Sequence, residues 1–258
     1  VDTIHWGTLA PRDDFDWEES RRQFHEAQAL WGDRITLRRG VELGEAQLSF
    51  DRADRLLAGE ELDFVIGSVH MAGKKFHHKD LYYIEKADEA YYDSIIDSYL
   101  EDVLALARWG EFQVLGHLTL PLRYINENYG EHMTFAHHMD QVEEIFRTII
   151  PKGLGIECNT NRGNESLPGA DILRLYRRLG GEIITLGSDA RRTWAASSAS
   201  GRSCCGSAAS ATSPPLPAES RSSKNCKRRI HHENCHRLRS RRLSAEAGHS
   251  HLAGGAQH

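Results

Sequence analysis

As far as Ala190 the apolar residues of this chain alternate between two periods, and beyond it the alternation stops. Short runs of β-branched and apolar residues predict strands at Ile35–Glu42, Asp63–His70, Phe112–His117 and Leu154–Thr160. A fifth lies inside Gly181–Ala190, between a glycine pair and a Gly-Ser-Asp corner. Val1–Trp6 reads as the end of a further strand. Between these runs the apolar residues recur at helical spacing. Asp16–Trp31 carries Glu18 and Glu19 early and stops at Gly32, and Leu48–Leu57 closes an apolar face with Leu56 and Leu57. Ala87–Trp109 is the longest helix, with Tyr92, Ile95, Ile96, Tyr99, Leu100, Val103 and Leu106 on one side and Gly110 at its end. Phe135–Ile150 is stopped by Pro151, and Asp171–Leu179 runs into Gly180.

Strands separated by helices predict parallel βαβ units, so the fold class is α/β. What stands at the strand ends matters more. Four of the five strands run into Glu42, His70, His117 or Asp189, and the remaining one carries Glu157 and Asn159. In a closed parallel barrel the C-terminal ends of the strands converge on one face, so residues far apart in sequence share a pocket. Imidazole nitrogen and carboxylate oxygen suit zinc, manganese or iron, and two or three such ions bind phosphate and activate water. Each residue also has a plainer role. A single strand-end histidine is more often a hydrogen-bonded structural residue, Glu42 alone could be a surface carboxylate, Asp189 a helix cap, and Glu157 a salt-bridge partner. It is the conjunction on four strands that points to a shared metal site. The pairs His77-His78 and His137-His138 gain nothing from it and read as solvent-facing, in a loop and on a helix.

Composition marks the break after Ala190. Residues 191–258 hold 12 Lys and Arg against 3 Asp and Glu, +9, which leaves −14 on residues 1–190 of a chain at −5. Four of the five cysteines (Cys204, Cys205, Cys226, Cys235) lie in that tail, without a zinc-type C-x2-C pair, while Cys158 stands alone. So little apolar material cannot offset the entropy of ordering, and disorder is expected for 191–258. A nucleic-acid-binding tail is the competing reading, through Arg228, Arg229, Arg237, Arg239, Arg241 and Arg242. No aromatic residue interleaves them to stack on bases, which argues against it. No apolar run reaches membrane-spanning length and no signal peptide opens the chain, so the expected compartment is the cytoplasm.

Several segments, in order, closely resemble one family. They are Gly40-Val41-Glu42, Gly67-Ser68-Val69-His70, Leu115-Gly116-His117-Leu118, Pro151-Lys152-Gly153 with Gly155-Ile156-Glu157-Cys158-Asn159-Thr160, and Leu179 through Ala190. They are similar to the histidinol-phosphatases of the polymerase-and-histidinol-phosphatase (PHP) type, over about residues 30–190. The resemblance implies a distorted (β/α)7 barrel, with up to three divalent metal ions (zinc, manganese or iron) on its C-terminal face. It also implies hydrolysis of L-histidinol phosphate to histidinol and phosphate, a small-molecule reaction of histidine biosynthesis. By the same resemblance, His5, Glu42, His70, His117 and Asp189 are metal ligands, with Glu42 and Asp189 the catalytic carboxylates. Arg123, Arg162 and Asn159 are then candidates for holding the substrate, and the guanidinium forks suit a phosphate.

The sequence departs from that family at both ends. The His-x-His pair that opens the family is missing before Val1, which suggests a fragment or a processed start, and Thr3-Ile4-His5 differs at its middle residue from the family's Thr-Asp-His or Thr-Glu-His. After Ser188-Asp189-Ala190 the family has histidine, and here it is Arg191, which has no lone pair to donate to a metal. The abrupt change suggests a reading-frame shift. The expected domain is therefore an incomplete PHP barrel over residues 1–190, impaired in turnover. The alternatives are another phosphoesterase of the superfamily, acting on nucleotides or phosphotyrosine, and a degenerate barrel without activity. Nothing in the sequence specifies an oligomeric state.

Overall fold

The computed structural model describes residues 1–5, 8–12 and 14–189. The tail 191–258 and Arg191 itself lie outside the described residues. Among the described residues there are five strands: β1 (Gly40–Gly44), β2 (Phe64–Ser68), β3 (Val114–Leu115), β4 (Gly155–Asn159) and β5 (Ile184–Gly187). They form one sheet in the order β1-β2-β3-β4-β5, with every neighbouring pair parallel. Helices return the chain between them: α1 (Trp17–Trp31) precedes β1, and α2 (Phe50–Ala58) joins β1 to β2. After β2 come α3 (Glu89–Trp109), and then α4 (Leu120–Tyr129) and α5 (Met139–Ile149) between β3 and β4. The last is α6 (Ala170–Arg178), ahead of β5.

The expected α/β alternation is borne out, with strand boundaries that differ. The first strand was expected from Ile35, but pairing begins at Gly40 opposite Phe64, and Ile35 is left exposed. The third narrows to two residues, because Ile66-Gly67 is all that β2 pairs with there. Helix α4 escaped the sequence reading although it has a Pro at its start and Gly130 in the left-handed conformation at its end. The opening residues behave as the expected strand end: Asp2 bridges Gly44 in parallel, with Gly44 N–H donating to Val1 O at 2.8 Å and Thr3 N–H to Gly44 O at 3.1 Å.

The core lies between the sheet and α3, α5 and α6. Helix α3 buries Tyr92, Ile95, Ile96, Tyr99, Leu100, Val103 and Leu106, the face expected from its spacing, and is capped by the Asp88 side chain on the Tyr91 N–H. Helix α1 buries no residue at all, so it contributes little to that core. Among the described residues no helix is long and apolar enough to cross a membrane.

Register decides which side chains meet. Glu42 pairs with Ile66, so Ser68, two residues on, lies on the Glu42 face of the sheet. Ile66 pairs with Val114 and Val114 with Gly155, which brings Glu157 and then Gly187 to that same face. The packing behind the sheet is tested at Phe146, which is fully buried in α5 with its ring centroid 5.0 Å from that of Tyr176. Phe146→Ala is expected to cost about 3–5 kcal/mol by urea unfolding. A loss below about 1 kcal/mol would mean that α5 and α6 do not pack on the sheet as described.

Candidate metal centre

One strand and the ends of two others deliver the centre. Glu42 on β1, His70 two residues past β2 and His117 two residues past β3 each offer one atom to a group whose members all lie within 4.8 Å of one another. Glu42 Oε1 is 3.2 Å from His117 Nε2 and 3.5 Å from His70 Nε2, and the two imidazole rings are 5.0 Å apart. Ser68 Oγ donates to Glu42 Oε1 at 2.7 Å. The other side of His70 is set by Glu45, fully buried, which accepts the His70 backbone N–H at 2.7 Å and lies 3.0 Å from Nδ1. A carboxylate acceptor there keeps a proton on Nδ1, so Nε2, which faces Glu42, is the nitrogen that would ligate an ion in exchange for its own proton. Glu157 accepts the His117 backbone N–H at 2.8 Å. Gly187 permits this arrangement, because a methyl group on it would overlap the Glu157 carboxylate.

The electrostatics follow from burial and pairing. Burial alone would raise the Glu42 pKa, but hydrogen bonds and charge from His117 and His70 outweigh it and hold the carboxyl well below its usual range. For His70 burial pulls the other way, and its bonds to Glu42 and Glu45 raise it to about 10. Burial pushes Glu157 up, and its acidic neighbours Glu42 and Asp189 add to that push against the opposing effect of His117. Two imidazoles thus stand among several carboxylates that they cannot all neutralise.

That donor set fits a divalent ion. One carboxylate oxygen and two imidazole nitrogens converge, one ring is oriented by a carboxylate on its far nitrogen, and this is the outer arrangement that metal-binding histidines use. His117 Nδ1 is buried with no hydrogen-bond partner among the described residues.

The other expected site residues fall elsewhere. Asp189 is not in the three-membered group: its backbone is left-handed (φ 51°) and its carboxylate pairs with Arg123 Nη2 at 2.8 Å. Arg123 is buried, and it also donates from Nε to Asn161 Oδ1 at 2.7 Å and from Nη2 to Asn159 Oδ1 at 3.3 Å. Asn159 is fully buried and ties Arg123 to Glu157, so it serves this network and is not open to solvent. Arg162 is exposed and 3.7 Å from Glu127. His5 is exposed and joins no metal-capable group among the described residues. Asp2 approaches instead: a Cβ on Gly44 would strike the Asp2 carboxylate and lie 3.3 Å from His70 Nδ1. Of the two histidine pairs expected to face solvent, His77 and His137 do, whereas His78 is half-buried 3.8 Å from Asp102 and His138 is buried.

Sequence reasoning missed Glu45, Asp2 and Ser68. Glu45 carried a signal, as a second acidic residue just past the end of β1, where a parallel sheet gathers its chemistry.

A match to the PHP domain over residues 7–161 decides the family. The chain belongs to the PHP domain family. It is 28% identical over 173 residues to a probable histidinol-phosphatase of Clostridium acetobutylicum, covering 65% of each chain. It is 27% identical over 180 residues to a histidinol-phosphatase of Lactococcus lactis, covering 67% of this chain and 65% of that one. The chain thus spans about two thirds of these relatives. In fold it is similar to a Lactococcus lactis histidinol phosphate phosphatase solved with zinc, L-histidinol and phosphate, at a TM-score of 0.65 and 23% identity over 80% of this chain and 79% of that one.

A polar chain leads from the centre into α3. Gln47 Nε2 donates to Glu45 Oε2 at 2.9 Å and reaches Asp102 Oδ2 at 3.5 Å. Burial raises the Asp102 carboxyl from 3.8 to about 6; Glu45 and Glu101 add to this, and the bond from Gln47 opposes it. An acid raised in the folded state costs nothing below its unfolded pKa and its full cost above its folded one, so stability falls from about pH 4 to pH 6. Asp102→Asn is expected to gain about 1–3 kcal/mol at pH 7.5 and nothing near pH 3.5, measured by urea unfolding at both. An equal effect at the two pH values would contradict a raised Asp102.

Proposed function

We propose that the chain is a metal-dependent phosphomonoesterase that converts L-histidinol phosphate and water to L-histidinol and phosphate, a step of histidine biosynthesis in the cytoplasm. The observation that carries the metal reading is the convergence of Glu42 on β1 with His70 and His117 just past β2 and β3, with His70 oriented by Glu45. The substrate reading rests on the relatives, two named as histidinol-phosphatases, and on the structural neighbour solved with zinc, L-histidinol and phosphate. The unit responsible is taken to be residues 1–190, with 191–258 outside it.

In this reading Glu42, His70 and His117 hold a divalent ion of the zinc, manganese or iron class. Such an ion polarises a phosphoryl oxygen and lowers the pKa of water. The chain's own residues do the positioning. Ser68 fixes the Glu42 carboxylate, Glu45 fixes the His70 ring, and Glu157 fixes the backbone at His117. Arg123, buried and held by Asn159, Asn161 and, at 2.8 Å, Asp189, is the candidate cation for phosphate oxygens, which would have to compete with those partners. Arg191 cannot supply the nitrogen that the family's histidine would, so turnover is expected to be slow.

Phosphate release from L-histidinol phosphate, with manganese or zinc added, tests this. Slow release above the buffer rate is expected from the parent chain. Glu42→Gln and His117→Ala should abolish it, and Glu45→Ala should lower metal affinity about 10- to 100-fold through the His70 ring. Parent and Glu42→Gln releasing phosphate equally would overturn the reading. Release from nucleotides or phosphotyrosine alone would support the other phosphoesterase reading.

A further inference from the structure

A second set of metal-capable side chains, sharing none with the centre above, meets where the start of α3 faces the turn before α5. Glu89 and Asp93 stand one helical turn apart on α3, so their carboxylates share a side of the helix and repel each other. His137 enters from the 3₁₀ turn Ala136–His138, with Nδ1 3.2 Å from Asp93 Oδ2. One ligand atom from each of Glu89, Asp93 and His137 lies within 4.8 Å of the other two.

Asp93 is the fixed member. Its other oxygen, Oδ1, faces Nε2 of the buried His138 at 3.3 Å. His138 Nδ1 faces Gln141 Oε1 at 3.1 Å, and Gln141 Nε2 donates to Asp97 Oδ1 at 2.8 Å. The Asp97 bond sets which way the Gln141 amide points, and the amide in turn sets the His138 ring. Asp93 therefore faces the buried His138 ring with one oxygen and presents the other to Glu89 and His137. Those two are exposed, and can turn toward a common point without disturbing the core. Donors sharing one ion sit about 2.0–2.2 Å from it, so a modest rotation of each suffices. An ordinary histidine–aspartate pair accounts for Asp93 and His137, and the start of α3 favours a carboxylate at Glu89, but neither requires that the three ligand atoms converge on one point. Two carboxylates balance a divalent cation, and the imidazole favours the zinc class over calcium or magnesium.

We propose that Glu89, Asp93 and His137 form a second divalent-metal site, of the zinc class, that clips the start of α3 to the turn before α5. This site stands whether or not the chain is a phosphatase. The test is zinc titration of the metal-free full chain at pH 7.5, with bound ions counted by native mass spectrometry and Tm followed in parallel. His137→Ala removes an exposed side chain, and Asp93→Asn keeps the shape of the one it replaces. Both are expected to bind one zinc fewer than the parent and to lose part of its zinc-induced rise in Tm. Glu42→Gln, which touches the other centre, should keep that part. A His137→Ala chain with the parent's zinc count and the parent's rise in Tm would overturn the proposal, whatever Asp93→Asn does to folding.

Discussion

The Glu42 carboxylate, held between two imidazoles from different strands, is the interaction around which this face of the molecule is arranged. Burial disfavours its charge, and His70 and His117 more than compensate. Neither imidazole could be there without a neighbour to hold it: Glu45 sets His70 through both its backbone and its ring, and Glu157 sets the backbone at His117. Glu42 and Glu157 stand mid-strand on β1 and β4, and Glu45, His70 and His117 lie just beyond the C-terminal ends of β1, β2 and β3. There a sheet with one strand direction turns separate stretches of sequence into neighbours.

The same arrangement carries a cost that shapes its surroundings. Glu42, Glu45, Glu157 and Asp102 form a connected acidic layer, and burial pushes the last two toward their neutral forms. Like charges so close together are unfavourable unless cations offset them. A divalent ion at Glu42, His70 and His117 would supply that compensation. The second proposed site repeats the logic on the surface, where Glu89 and Asp93 lie one turn apart and His137 completes the set.

Much of the fold was legible because its signals were local. The spacing of Tyr92, Ile95, Ile96, Tyr99 and Val103 gave α3 its buried face, and β-branched runs gave four strands close to where they stand. Strand ends were harder to place, since pairing partners decide them: Ile35 looks like strand and has nothing opposite it. Helix α4 was missed because it is short and starts within five residues of β3, although its Pro and Gly signals bracket it. For the centre, Glu42, His70 and His117 were legible from their place after strands. Asp189 and His5 were expected in the same group and are not in it. Asp189 is taken by Arg123, a contact between residues 66 apart in sequence that no local pattern announces. Asp2 was invisible for a related reason, since its part depends on close approach over Gly44, and Glu45, whose position past β1 was a signal, acts through a left-handed turn that the sequence does not show.

Zinc-edge anomalous diffraction from crystals of the zinc-loaded chain tests the central claim most directly. The account predicts a peak at about 2.0–2.2 Å from the Glu42 carboxylate and from one nitrogen each of His70 and His117. Absence of a peak there, with those three side chains in the arrangement described, would contradict it.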